Sequence, residues 1–179
     1  MSIDIKHEGL IVTTLSDCTD SLSLFSEYIS KKESKYFIQG FFISFRQILY
    51  YFSKSTSPLI QYRNKFSKNE QILIDKIVDM RHASAHPGSP IHWLNEFIRI
   101  SGVSNYKDDD VEIQYGNTKL FLLKEIIAIY KKTRKVLMQT QELQRLSKHP
   151  MQEIEKQKIL KSEKILKEKL RDPETLLKI

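Results

Sequence analysis

Residues 36–52 read YFIQGFFISFRQILYYF, and their spacing decides the class of fold. Phe37, Phe41, Phe45, Ile48 and Phe52 recur at steps of three and four and form one row of a helix, while Ile38, Phe42 and Leu49 fill the row beside it. A helix apolar on most sides lies at the centre of a bundle or is shared with a partner chain, because each aromatic ring left in water forgoes roughly 1.5–3 kcal/mol of burial. The central position is the preferred reading. Gln39, Arg46 and Gln47 interrupt the stretch well short of the ~18 continuous apolar residues of a membrane span, so no membrane partner is expected.

The rest of the composition agrees with helices. With 179 residues, 40% of them hydrophobic, the chain is long enough for one well-buried core, and only five Gly and five Pro leave room for few turns. The expected fold is all-α, a bundle of about four to six helices with room for a small β-hairpin near residues 111–121. The single cysteine, Cys18, excludes an internal disulfide and a Cys-based zinc site and fits a reducing, cytoplasmic setting. Residues 1–6 lack the basic start and apolar run of a signal peptide. A net charge of +7 leans toward phosphate polyanions, although an ordinary lysine-rich protein has the same balance.

Outward from the central stretch, Leu22, Phe25 and Ile29 predict a helix over residues 16–32, with Ser16 or Asp17 capping it; residues 3–14 show no strong period. After a polar break at 53–58, Ser67-Lys68-Asn69-Glu70 is a capping box that starts a third helix. Pro87, Gly88 and Pro90 end that helix at or just before His86. Residues 91–100 have helical spacing, and 107–110 (KDDD) predict an exposed loop. Residues 111–115 alternate, Gly116-Asn117 makes a turn and 119–121 return, unless Asn117 or Thr118 caps the next helix. That helix is expected over 120–147, with Lys131, Lys132, Arg134 and Lys135 on a solvated face. Beyond Pro150 a charged helix with a thin apolar stripe should pack at the periphery, against a partner or loosely. The domain division expected is 1–147 for a helical domain and 148–179 for a charged extension.

The chemistry-bearing residues crowd at the end of the third helix, in Asp79-Met80-Arg81-His82-Ala83-Ser84-Ala85-His86-Pro87. On an ideal wheel Leu73, Ile74, Ile77, Val78 and Met80 form the apolar face, and Arg81 falls near its middle. A guanidinium aimed that way needs an anion or satisfied acceptors, unless it snorkels to water or joins a buried carboxylate. Asp75, Asp79, His82 and His86 gather on the polar side. Arg81 and His86 stand about 140° apart, so they converge only where the last turn unwinds or two copies compose the site. Together, an imidazole and a fixed guanidinium suit RNA cleavage, the first moving a proton at a ribose hydroxyl and the second stabilising phosphorane charge.

Arg81-His82-Ala83-Ser84-Ala85-His86, at the end of a helix in an all-α chain, resembles the signature of the HEPN superfamily: an arginine, a polar residue, and a histidine after four to six intervening positions. The resemblance covers six residues of motif and, in architecture, roughly residues 16–147. It implies a helical bundle, a homodimer that brings two motifs into one cleft, and metal-independent endoribonuclease activity in toxin–antitoxin, antiphage or RNA-processing roles. On that resemblance Arg81 and His86 are the catalytic pair, His82 supports them, RNA is the substrate, an antitoxin or regulatory protein is a further partner, and no cofactor is needed.

Two other readings stay open. His82 and His86 have the i, i+4 spacing of paired metal ligands, with Asp79 or His92 available to complete a set, but there is no His-Glu-x-x-His and no Cys cluster. Alternatively the chain is a non-catalytic helical dimerisation or RNA-binding module in which the Arg–His turn is structural.

Overall fold

A computed structural model describes residues 5–55, 57–79, 99–100, 110–115, 118–140, 143 and 148–172. The described chain is an all-α bundle carrying a small antiparallel sheet, as the composition requires. Helix α1 spans Ile5–Tyr28 and α2 Ser34–Ser53. A 3₁₀ segment, Pro58–Lys65, leads into α3, Lys68–Asp79. Strands β1 (Arg99–Ile100), β2 (Glu112–Tyr115) and β3 (Thr118–Phe121) follow. A π-helical turn, Leu122–Ile127, continues directly into α4, Ala128–Met138, and α5 spans Pro150–Lys169.

The phenylalanine-rich stretch is the centre of the core. Ile38, Phe41, Phe45, Ile48, Leu49 and Phe52 are fully buried. The rings of Phe41 and Phe45 meet Tyr130 of α4 edge-on, with centroids 5.3 and 5.1 Å away, the geometry that aromatic quadrupoles favour. Helix α1 lies along α2, and they come close at Gly40, where a methyl group would stand 3.2 Å from Ser21 Oγ.

Helix α1 starts far earlier than expected. Residues 5–14, within the stretch left open by the sequence, are helical, and Ser16 and Asp17 lie inside the helix instead of capping it. The reason is a stripe, Ile11, Leu15, Cys18, Leu22, Phe25 and Ile29, stepping by four and three and buried along its whole length. Thr14 and Thr19 fit within it because their hydroxyls donate to the Leu10 and Leu15 carbonyls.

The capping box at the start of α3 is formed in both directions: Ser67 N–H donates to Glu70 Oε2 at 2.6 Å, and Glu70 N–H to Ser67 Oγ at 3.3 Å. The hairpin also forms, pairing Ile113 with Leu120 and Glu112 with Phe121, and β1 adds a third strand through Arg99–Gln114 and Ile100–Ile113. Arg99 and Ile100, expected at the end of a helix, are therefore extended. The long helix expected over 120–147 opens with the π-helical turn, and α4 stops at Met138, where Gln139 and Thr140 donate their N–H groups to the Val136 and Leu137 carbonyls.

Asp110, the last residue of the KDDD run expected to form an exposed loop, is buried. Its Oδ1 accepts from Val111 N–H at 2.7 Å and Leu123 N–H at 2.6 Å, and its Oδ2 from Lys124 N–H at 2.8 Å, so it caps the helix that follows the hairpin. Thr118, the candidate cap that the structure describes, lies in β3 instead, and Asn117 lies outside the described residues. Helix α5 packs along α1 of its own chain, burying Ile159, Leu166 and Leu170. Among the described residues, no helix is long and apolar enough to cross a membrane.

Candidate functional site

The Arg–His turn is reached through α3, and α3 is tied to the bundle at several points. Ile74 and Ile77 are buried, with Leu73 and Val78 packed against the core, so four of the five residues assigned to the apolar face take that role. Arg63 of the 3₁₀ segment pairs with Asp75 at 2.6 Å and donates to Ser53 Oγ at 2.8 Å, joining the end of α2, the 3₁₀ segment and the middle of α3. Lys132 of α4 bonds to Glu70 in the first turn. Burial pulls the Glu70 carboxyl upward, but hydrogen bonds from Lys132 and from Ser67 outweigh it and hold the group below the ordinary carboxylate value.

Helix α3 is described to Asp79, two positions before Arg81 in the chain. Arg81, His82 and His86 lie outside the described residues, as do Met80, His92 and the stop formed by Pro87, Gly88 and Pro90. The described scaffold thus anchors α3 as far as Asp79. Among the described residues, no group of three or more His, Cys, Asp or Glu is arranged to hold a metal ion.

A second polar cluster is fully described. Arg134, read as part of a solvated basic face, is buried between α4 and α5. Its guanidinium bonds to Glu155 and, at 2.8 Å, to Gln152 Oε1. Behind it the Tyr130 hydroxyl donates to the Leu15 carbonyl at 2.8 Å and meets the Thr19 hydroxyl at the same distance. Desolvation raises the Tyr130 phenol far above its ordinary value, against the pull of Arg134 and Thr19. The Cys18 thiol is raised too, by burial first and then by Asp17, so it is an inert core group.

Lys131 and Lys135 stand at the surface beside this cluster, so the basic band divides: its lysines reach solvent or surface partners and its arginine turns inward. Nothing local distinguishes Arg134 from its neighbours in Lys131-Lys132-Thr133-Arg134-Lys135; the useful signal would have been Glu155, 21 residues further along the chain. Comparison with protein-family models, with curated proteins and with solved structures gives no match.

Proposed function

We propose that this chain is a metal-independent endoribonuclease of HEPN type, with Arg81 and His86 as the catalytic pair and His82 supporting them. The observation that carries the reading is the Arg81-His82-x3-His86 spacing placed after a capped, core-anchored helix in an all-α bundle. The sequence places a charged side chain in the apolar direction of that helix and two imidazoles on the other side. In the proposed reaction His86 takes the proton of a ribose 2′-hydroxyl, whose oxygen attacks the adjacent phosphorus. Arg81 stabilises the charge that develops on the phosphorane oxygens. The bond to the 5′-oxygen breaks, that oxygen receives a proton, and a 2′,3′-cyclic phosphate remains. Two copies of the chain would bring their motifs to one cleft, consistent with the wide angle between Arg81 and His86 on a single ideal helix.

An unrestrained endoribonuclease harms its own cell, so the role proposed is a toxin–antitoxin or antiphage one, with an inhibitor or trigger as partner. The test is incubation of the full chain with end-labelled RNA in the presence of a chelator. Cleavage giving cyclic phosphate and 5′-hydroxyl ends, lost in Arg81→Ala and in His86→Ala while far-UV circular dichroism is unchanged, is the expected result. Cleavage that requires an added metal ion, or that survives both substitutions, overturns it. RNA binding without cleavage of any tested RNA assigns the chain to the non-catalytic module instead.

A further inference from the structure

We propose that the cavity between α4 and the first turns of α5 binds a nucleoside phosphate, holding its phosphate on Lys135 and Lys148 and its base against an apolar wall. The cavity measures about 560 Å³, within the range of small-molecule sites. Its described lining comes from residues 131–160 alone, so the site stands whether or not the Arg81–His86 motif cleaves RNA.

Its walls differ in chemistry. Met138, Pro150, Ile159 and Leu160 supply apolar lining, and Leu160 leaves 43% of its surface in water. Four lysines, Lys131, Lys135, Lys148 and Lys156, line it as well. Lys131 and Lys156 already have partners, Glu163 at 3.0 Å and Glu153 at 3.4 Å. Lys135 and Lys148 are exposed and make no ion pair among the described residues, so both remain available to an anion. The start of α5 also lines the cavity, but its first amides are already met by His149, Met151 N–H by Nδ1 at 3.2 Å and Gln152 N–H by the carbonyl at 2.9 Å, so the anion contacts fall to the lysines.

Two polar groups distinguish a nucleoside from a bare anion or an acyl chain. Gln152 gives its amide oxygen to the buried Arg134, which fixes the amide and leaves its N–H donors unused among the described residues. Glu153, one position on, adds carboxylate acceptors held in place by Gln157 and Lys156. A donor and an acceptor beside an apolar wall match the mixed edge of a base lying on its face. Inorganic phosphate would use only the lysines, and a fatty acid neither Gln152 nor Glu153. Arg134 sets the floor through Glu155 and Gln152 and is unavailable as an anion ligand.

The test is calorimetric titration of the full chain at low salt with AMP, UMP, inorganic phosphate and a short single-stranded RNA. Wild type is compared with Lys135→Glu/Lys148→Glu and with Leu160→Glu, all three positions being exposed. Saturable nucleotide binding at one per chain is expected, at least about tenfold weaker in each variant and at least about tenfold tighter than phosphate. Binding of the RNA but not of the free nucleotides, with the same sensitivity to both variants, places the nucleotide within a strand and supports the site. Equal affinity for phosphate, indifference to Leu160→Glu, indifference to the lysine reversals, or no binding of any of the four ligands overturns it. Arg81→Ala separates the two readings, since it should abolish cleavage and leave this binding unchanged.

Discussion

Arg134 and Glu155 form a hydrogen-bonded ion pair inside the protein, with side chains only 9% and 5% exposed, and they lie on two helices, α4 and α5, 21 residues apart in the chain. The pair fastens α5 across α1 and α4. Two charges withdrawn from water gain net stability only when their remaining hydrogen-bonding groups are met. Here Gln152 takes a second guanidinium nitrogen, while Thr19 and Tyr130 lie 3.4 and 3.5 Å from the first.

Removing one partner should therefore be much worse than removing both. Glu155→Ala leaves the Arg134 guanidinium buried without its counter-charge and is expected to cost about 3–5 kcal/mol. Arg134→Met combined with Glu155→Leu removes both desolvation penalties and should recover most of that loss. Urea denaturation of the three proteins measures the contrast. A Glu155→Ala loss below about 1 kcal/mol would mean that α5 is held by its apolar stripe alone.

Thr133, the neighbour of Arg134, is fully buried, and its hydroxyl has no hydrogen-bond partner among the described residues. Valine has the same shape without the oxygen, and the two residues have similar helix propensities. Thr133→Val should raise stability by about 1 kcal/mol, because the desolvation cost of the hydroxyl disappears. Thermal unfolding is the check, with an expected rise of about 2–4 °C for a chain of this size. A fall in the midpoint would show that the hydroxyl makes a stabilising contact.

The fate of Arg134 and Thr133 illustrates what was legible in the sequence. Contacts between near neighbours could be read: the Ser67–Glu70 box spans four residues, and the pairing of Ile113 with Leu120 follows from alternation around a short turn. The α1 stripe from Ile11 to Ile29 was only half recognised, since Thr13 and Thr14 blurred its first turns although Ile11 and Leu15 keep the period. Asp110 and Arg134 were hidden in runs of like charge. Their burial depends on partners supplied by other parts of the fold, the amides of Leu123 and Lys124 in one case and Glu155 in the other. The candidate site is the reverse case: Arg81, His82 and His86 stand out by residue type and spacing, whereas one sequence does not specify whether the last turn unwinds or two copies compose the site, either of which would bring Arg81 and His86 together.

Tyr130 predicts a loss of stability in alkali. Burial raises its phenol in the folded state, whereas the unfolded side chain ionises near pH 10. Above that pH the unfolded chain releases a proton that the folded one keeps. The folded state then binds more protons, and unfolding becomes easier as pH rises. The contribution is complete below pH ~10 and should decline by about 1.4 kcal/mol per pH unit above it. Cys18 acts in the same direction from a lower starting pH. Tyr130→Phe isolates the phenol: it should cost about 1–2 kcal/mol at pH 7 through the lost bond to Leu15, and that cost should shrink as pH passes 10. A cost that stays constant from pH 7 to 11 would contradict the assignment.

Asp110 offers the sharpest local test, because one carboxylate serves three amides from two segments. Its bonds to Leu123 and Lys124 cap the π-helical turn, its bond to Val111 fixes the entry to β2, and Leu122 N–H reinforces the junction by donating to the Val111 carbonyl at 2.9 Å. Asp110→Ala removes all three acceptor contacts from a position only 4% exposed and should cost about 3 kcal/mol or more. Asp110→Asn keeps one oxygen but sets an NH₂ group against the remaining N–H, and should fall between alanine and wild type. Amide hydrogen exchange adds a local readout: Leu123 and Lys124 should lose protection in Asp110→Ala before the amides of α2 do. Protection lost equally along the whole chain would mean that this junction opens only with the bundle, and that the cap stabilises the fold as one unit without holding the hairpin and helix together locally.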